Sequence, residues 1–214
     1  MTDPWPLRHL VLRTPRLELR PDDDAGLLEL AEEARLGIHP PESMPFSTPW
    51  TDVTPDERAL ATMQWHWGQR AALRLERWSV QFLVRSEGRV VGMQGLSAAD
   101  FAVTRDVETG SWLGLRHQGR GTGTEMRAAV LAFAFDHLGA TRARSGAFLD
   151  NPASLRVSEK LGYRRDGIEV HARRGKPAEN TRLLVTPGTF RRPDWTLQVD
   201  GLEACLPVLG VSPG

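Results

Sequence analysis

The sequence is poor in several residue types on which particular classes of protein depend. Its 214 residues include one cysteine, Cys205, and one tyrosine, Tyr163. A single cysteine excludes an intrachain disulfide and a cysteine-rich zinc site, and we expect it to be a small buried apolar residue. No spacing of histidine, cysteine and aspartate suggests a metal site, so no metal is expected.

Net charge and long apolar stretches are also missing. The chain has 27 basic and 27 acidic residues, so it has no overall electrostatic attraction for nucleic acid or anionic lipid. The longest apolar run, residues 128–135, is far shorter than the ~20 residues of a membrane span. The N-terminus shows no secretory signal. We therefore expect a cytoplasmic protein with neither a nucleic acid nor a membrane as partner.

The sequence does contain enough apolar residues for a folded core. Hydrophobic residues make up 40% of the chain and charged residues 25%, close to an average globular protein. One domain of this length is expected to bury about 70% of its unfolded surface. We expect a domain over residues 1–190. Residues 191–214 are expected to form a C-terminal extension packed on the same domain or on a partner subunit.

Hydrophobic periodicity predicts an α/β chain built on one mixed sheet. Strands are predicted at residues 16–20, 78–85, 90–97, 107–115, 141–149, 163–172, 181–185 and 195–199. Helices are predicted at residues 24–35, 55–76, 125–138 and 151–161. The proline-rich segment 38–54 is predicted to be a loop, and loops of this length are often functional.

A glycine-rich segment between a predicted strand and a predicted helix is the clearest functional motif. It reads Gln118-Gly119-Arg120-Gly121-Thr122-Gly123-Thr124. Glycines at alternate positions let backbone N–H groups converge on an anion at a helix N-terminus, and a phosphate or diphosphate is expected. The segment lacks the Lys-Ser/Thr pair of an ATP-binding P-loop and the third glycine of a dinucleotide-binding turn. A turn without a ligand is the alternative.

Further motifs lie on both sides of this loop: 12–17 (LRTPRL), 110–114 (GSWLG), 151–154 (NPAS) and 159–163 (EKLGY). In this order, with the loop, they resemble the GNAT superfamily of acyl-CoA-dependent N-acyltransferases. The first segment is similar to the Rim-like branch, which includes ribosomal-protein N-terminal acetyltransferases. Segments 44–51, 110–116 and 150–154 are similar to actinobacterial members that use succinyl-CoA.

The resemblance implies a GNAT fold, a single mixed and mostly antiparallel sheet flanked by helices. It implies transfer of an acetyl or succinyl group from acyl-CoA to a primary amine by direct attack. The acceptor would be a small-molecule amine or a protein amine, and the protein a homodimer or higher homo-oligomer. The alternative is a catalytically silent GNAT domain that binds CoA or a partner.

The resemblance also assigns the cofactor-binding residues. The backbone N–H groups of the glycine-rich loop would hold the diphosphate, with help from the Thr122 and Thr124 hydroxyls and charge from Arg116 and Arg120. The strand before the loop would bind pantetheine through its backbone. The expected set is Leu113, Leu115, Gln118, Gly119, Arg120, Gly121, Thr122, Gly123, Thr124 and Asn151.

Three residues are expected to take part in the chemistry: Glu108, Asn151 and Ser154. Glu108 lies on the strand leading into the pantetheine segment and is the expected base, with His171 and Asp150 as alternatives. Asn151 and Ser154 begin a helix at the thiol end of CoA, and Ser154 is expected to donate a proton to the thiolate. Many GNAT enzymes use a tyrosine for that step, but here Tyr163 is expected in the core.

The acceptor site is expected at the loop 38–54 and the helix that follows it. This region contributes Trp50 from the loop and Trp65, His66 and Trp67 from the helix. We expect core packing for Trp65, loop anchoring for Trp50 and a packed surface position for His66. Aromatic side chains in this region are suited to a peptide or a ring-bearing amine.

Overall fold

The computed structural model describes residues 3–211 of the chain. Its strands are β1 Val11–Arg13, β2 Leu17–Pro21, β3 Arg77–Ser86, β4 Arg89–Ala99, β5 Asp106–Leu113, β6 Arg142–Phe148, β7 Arg164–Arg173, β8 Lys176–Val185 and β9 Gln198–Asp200. Its helices are α1 Asp24–Leu36, α2 Pro55–Ala71, α3 Phe101–Thr104, α4 Thr122–Ala132 and α5 Pro152–Lys160. A π-helical turn, Phe133–His137, continues α4. No helix in this part of the chain is long and apolar enough to cross a membrane.

The strands form one mixed sheet, as predicted, in the order β7-β8-β6-β5-β4-β3-β2-β1-β9. Over the described residues, every neighbouring pair is antiparallel except β5 and β6, which run parallel. The parallel pairing is short, because it joins only residues 106–108 to 142–144. Beyond that point β5 stays with β4 and β6 stays with β8, so the sheet divides.

Apolar layers cover both faces of the sheet. On β3, Phe82 and Val84 belong to the larger core, to which α4 contributes, whereas Leu83 points to the other face and packs with Leu27 and Leu30 of α1. This division follows from the alternation of side chains along a strand. The helices α1 and α2 therefore cover one face of the sheet, and α4 covers the other.

Capping residues fix where the two helices on the first face begin. The Asp23 side chain accepts a hydrogen bond from the backbone N–H of Gly26 at the start of α1. Thr54 and Glu57 form a capping box at the start of α2, with Pro55 in the first helical position. The predicted start of α2 is confirmed, but the helix ends at Ala71 rather than at residue 76.

Other differences from the prediction concern short elements. The three-residue strand β1 and the four-residue helix α3 were not predicted, because neither is long enough to show periodicity. The last strand covers Gln198–Asp200 rather than residues 195–199. The helix predicted at 125–138 begins earlier, at Thr122, and ends in the π-helical turn.

Residues after 190 pack against the larger core. The strand β9 pairs with β1, and the Trp78 indole N–H donates to the Leu209 carbonyl oxygen at 3.0 Å. Cys205 and Leu209 are fully buried, so the expected burial of the cysteine is confirmed. Burial raises the pKa of the Cys205 thiol to about 11. The first two residues of the predicted domain and the last three of the predicted C-terminal extension, 212–214, lie outside the described residues.

Candidate active site

A cleft of about 1760 Å³ opens where β5 and β6 part. Two side-chain bonds close its apex: Thr109 Oγ1 donates to the Arg144 carbonyl oxygen at 3.2 Å, and Ser145 Oγ donates to the Thr109 carbonyl oxygen at 3.2 Å. The backbone pairing of β5 with β6 ends one residue earlier, at Glu108 and Arg144, and these two side-chain bonds continue the connection. The cleft therefore has a wedge shape, with strand backbone on both sides.

The glycine-rich loop lies at one end of this cleft, at the start of α4. Gly119 and Gly121 have φ angles of +76° and +83°, which glycine adopts without strain. Within residues 3–211, nothing accepts a hydrogen bond from the backbone N–H groups of residues 119–123. The N–H groups of Gln118 and Thr124 are occupied, by the Leu115 and Gly121 carbonyl oxygens. Five free N–H groups at a helix start are suited to binding an anion.

Arg16 holds the loop in this shape. Its Nε donates to Glu125 Oε2 at 2.7 Å, and its Nη1 donates to the Arg120 carbonyl oxygen at 3.1 Å. Glu125 is buried and also accepts from the Thr14 hydroxyl at 2.6 Å. The sequence analysis missed Arg16 in this role, because its partners lie more than 100 residues away.

The residues expected to bind pantetheine differ in their availability. Leu113 is buried at the end of β5 and lines the cleft, and its carbonyl oxygen accepts from Gln118 Nε2 at 3.0 Å. The Leu115 N–H is occupied by the Gly37 carbonyl oxygen at 2.9 Å. Arg116, expected near the diphosphate, is instead paired with the buried carboxylate of Glu33. Leu113 therefore remains in the candidate set, and Leu115 and Arg116 leave it.

The helix α5 places two of the expected catalytic residues on the cleft wall. Asn151 caps the helix, its Oδ1 accepting from the Ser154 N–H at 3.1 Å. Ser154 also lines the cleft, and its hydroxyl has no hydrogen-bond partner in the described part of the chain. The cap fixes the backbone of Ser154 and leaves its Oγ free for a ligand.

The three expected bases have different environments. Glu108 is exposed on β5, lines the cleft and forms no ion pair with any residue in 3–211. Asp150 is bound by both Nη atoms of Arg173, at 2.8 and 2.6 Å, which lowers the pKa of its carboxyl. His171 lies 3.4 Å from Glu169 and meets the Phe148 ring edge-on. Asp150 is thus a structural ion-pair partner, and Glu108 is the carboxylate open to a ligand.

Tyr163 is buried, as expected. Its hydroxyl lies 3.0 Å from Thr109 Oγ1, behind the apex of the cleft, and burial raises the pKa of the phenol. It does not line the cleft. No group of three His, Cys, Asp or Glu side chains among residues 3–211 is arranged to hold a metal ion.

An aromatic wall closes the other side of the cleft. It consists of His39, Phe46, Trp50 and Trp112, with successive ring centroids 5.8, 5.2 and 6.0 Å apart. The loop that carries the first three rings is fastened to the β7–β8 hairpin, because Arg173 donates to the Met44 carbonyl oxygen at 2.8 Å and Arg174 pairs with Asp52. The predicted position of this loop beside the site is therefore consistent with its contacts.

Two expectations for α2 are wrong. Trp65 is 48% exposed rather than packed in the core, and it lines the cleft. His66 is 1% exposed rather than on the surface, and its Nδ1 lies 2.6 Å from Asp22 Oδ2. Helical spacing could not separate these neighbouring residues, because Asp22, which contacts His66, lies 44 residues away in sequence.

A buried arginine on α4 also lines the cleft. Arg127 is 5% exposed, and its Nη atoms donate to Ser111 Oγ at 2.9 Å and Ser158 Oγ at 3.2 Å. Its Nε has no partner, and no carboxylate of residues 3–211 forms a salt bridge with it. Burial lowers the pKa of the guanidinium. A buried cation without an anion is costly, so the position suits an anionic ligand group.

The divided sheet and the anion site at the start of α4 together define an acyltransferase of the GNAT fold. A family model described as an acetyltransferase (GNAT) domain matches residues 10–164. The chain therefore belongs to the GNAT acetyltransferase family, whose members are acyl-CoA-dependent N-acetyltransferases.

Solved structures are similar to this chain over most of its length. RimJ of Mycobacterium smegmatis, in a complex with CoA-disulfide, matches with a TM-score of 0.68 and 19% identity, covering 96% of each chain. Spermidine N-acetyltransferase from Vibrio cholerae, in a complex with CoA and spermine, matches with a TM-score of 0.60 and 16% identity, covering 82% of this chain and 98% of that one. These matches confirm the predicted GNAT fold.

Proposed function

We propose that this protein transfers an acyl group from acyl-CoA to a primary amine by direct attack. The observation that carries the proposal is the set of five unbonded N–H groups beside the divided sheet, which suits a diphosphate followed by an extended arm. The thioester supplies an activated acyl carbon. Glu108 attracts the ammonium form of the acceptor and takes its proton, and Ser154 Oγ gives a proton to the departing thiolate.

CoA binding to the loop can be tested by thermal denaturation. A ligand at about 100 times its Kd adds about 2.7 kcal/mol, or about 5–10 °C for a chain of this size. We expect this shift with CoA and with acyl-CoA. Gly119→Ala should weaken binding about tenfold, because its methyl group would project into the anion site.

Gly139→Ala is the matched control for this substitution. Both glycines have positive φ and open space around the added methyl, so each alanine costs about 1 kcal/mol of backbone strain. Only Gly119 belongs to the loop. Equal weakening of CoA binding in the two variants, or no shift in the parent protein, would contradict the proposed site.

The acceptor is proposed to be a primary amine carried on a ring or another flat apolar group. The aromatic wall provides the surface for such a group. Two carboxylates of the cleft are paired with arginines, Asp150 with Arg173 and Asp166 with Arg144, which lowers the charge that the cleft offers to a polycation. A protein amine fits the same surface where the residue that presents it carries an apolar side chain.

A panel of amines tests this acceptor class. We expect kcat/KM for an aryl-ethylamine to exceed that for spermine by about tenfold or more, because cation–π and ring contacts outweigh weak charge attraction. The assay follows release of the CoA thiol at a fixed acyl-CoA concentration. A preference for spermine would contradict the acceptor proposal without affecting the proposed acyl transfer.

The donor is proposed to be a thioester whose acyl group ends in a carboxylate, as succinyl does. Arg127 supports this choice, because its guanidinium lines the cleft between β5 and α5 without a carboxylate partner from residues 3–211. An acetyl group would leave that charge unbalanced. An arginine matches the geometry of a carboxylate with two parallel hydrogen bonds.

We also propose a homo-oligomeric assembly, with residues 1–190 as the catalytic domain and 191–214 as an extension of it. The support for assembly is the edge strand β7, on which Ile168 and Val170 are 60% and 68% exposed. Exposed apolar residues on a sheet edge favour pairing with another chain. A catalytically silent CoA-binding module is the alternative to the enzyme.

A further inference from the structure

A buried pair of side chains, Asp22 and His66, lies beside the acceptor part of the cleft. Asp22 directly follows β2, and its backbone N–H donates to the Gln81 carbonyl oxygen at 2.9 Å. His66 lies on α2, with Nδ1 2.6 Å from Asp22 Oδ2. The side chain of His66 is 1% exposed and that of Asp22 is 4% exposed. None of the chemistry described above uses this pair.

The carboxylate determines which nitrogen of the ring carries hydrogen. An ionised carboxylate only accepts hydrogen bonds, so Nδ1 must be the donor. In the neutral ring, Nε2 then carries the lone pair. Nε2 is buried, and it has no hydrogen-bond partner among residues 3–211. Buried polar atoms in proteins are almost always bonded, so this nitrogen requires a partner that the chain does not supply.

The residues around His66 belong to the acceptor side of the cleft. His66 lines the cleft together with Trp65 and Gln69 of α2, and with Ser79 and Gln81 of β3. The Gln81 Oε1 atom is also buried without a partner. Two unpartnered polar atoms therefore belong to the same wall of the cleft.

Few charged groups act on the pair. Asp22 Oδ1 lies 3.8 Å from Arg70 Nε, and Arg70 also pairs with Asp24 of α1. The residues of β3 on this wall, Ser79 and Gln81, are uncharged. The exposed carboxylates Glu42, Glu108 and Glu169 also line the cleft. Asp22 is thus the charged group in direct contact with the imidazole.

We propose that His66, oriented by Asp22, is a second proton acceptor for the acceptor amine. The inference rests on the proposed acyl transfer. The ammonium nitrogen transfers one proton to Nε2, giving a neutral amine and an imidazolium held by Asp22. The amine nitrogen then forms a bond to the acyl carbon, the carbon–sulfur bond breaks, and the second ammonium proton leaves with the thiolate. Glu108 attracts the cation and is the alternative acceptor of this first proton.

The test is the pH profile of kcat for His66→Gln against the parent protein, with one amine as acceptor. An imidazolium cannot accept a proton, so the profile of the parent should have an acidic limb that depends on His66. We expect His66→Gln to lower kcat about tenfold at neutral pH and to remove that part of the profile. A purely structural role would lower kcat without changing the shape of the profile.

The chain offers a matched control in a second histidine–aspartate pair. His9 Nε2 lies 2.7 Å from Asp3 Oδ2, but the pair is exposed and outside the cleft. His9→Gln should leave kcat and its pH profile unchanged. Thermal shifts with CoA establish that each variant is folded and binds the donor.

A second measurement does not depend on turnover. Long-range ¹H–¹⁵N spectra, assigned with the His66→Gln variant, should show the neutral His66 ring with hydrogen on Nδ1. Hydrogen on Nε2, or superimposable pH profiles of parent and His66→Gln, would overturn the inference. Absence of acyl transfer by the parent with every amine would instead overturn the proposed function.

Discussion

Glu108→Gln is expected to lower kcat for acyl transfer by about 10²- to 10³-fold, the range lost when a positioned general base is removed. Glu108 is exposed in the cleft, and no basic residue of 3–211 is paired with it, so its charge is available to an incoming ammonium group. Glutamine keeps the size and hydrogen-bonding capacity of the side chain. The loss therefore reports on charge and proton transfer.

The measurement is steady-state release of the CoA thiol, with Glu179→Gln as the control. Glu179 is also an exposed strand carboxylate, on β8, but it lies outside the cleft. It should keep full activity. If neither Glu108→Gln nor Ser154→Ala changes kcat while CoA still binds, the assigned roles are wrong. A parent protein that binds CoA but acylates no amine would favour the silent module.

Arg127→Met is expected to lower kcat/KM for succinyl-CoA by about 10²-fold and to leave that for acetyl-CoA within a few-fold of the parent. A hydrogen bond to a charged group contributes about 1.5–3 kcal/mol, and a buried carboxylate without its cation loses that stabilisation. The ratio of the two donors should therefore reverse. Arg127→Lys, which keeps the charge but not the planar fork, should fall between the parent and Arg127→Met.

Arg156→Met is the control for the loss of one positive charge from the same cleft. Arg156 lines the cleft from α5 but is exposed, so solvent screens it and little change in donor preference is expected. Two results would contradict the donor proposal: a parent that prefers acetyl-CoA, and an equal loss with both donors in Arg127→Met. Thermal denaturation with CoA separates either result from misfolding.

The local features of the site were predictable from sequence. Glycines at alternate positions predict a turn with positive φ angles and free N–H groups. Gly119 and Gly121 do have positive φ angles. Asn151 before Pro152 indicates a helix start, and Asn151 does cap α5. Each of these depends on neighbours within a few residues, which a pattern can show.

The features that decide charge and protonation could not be predicted in this way. The contact between His66 and Asp22 joins residues 44 positions apart, and the contact between Arg16 and Glu125 joins residues 109 apart. Arg127 belongs to a helix whose pattern is apolar, and only the packing of α4 against β5 and α5 shows that the guanidinium is enclosed. For Arg116 the error was the reverse. The sequence suggested a positive charge available to the diphosphate, but Glu33 pairs with this arginine in the fold.

The pairing of β1 with β9 has a consequence for synthesis on the ribosome. Leu12 pairs with Val199, so one edge of the sheet is completed by two segments that lie 187 residues apart in the chain. Until residues 198–200 emerge from the exit tunnel, the outer edge of β1 has no neighbour. The nascent chain therefore carries an open strand edge, able to pair with other chains, for most of the time in which its core is being made.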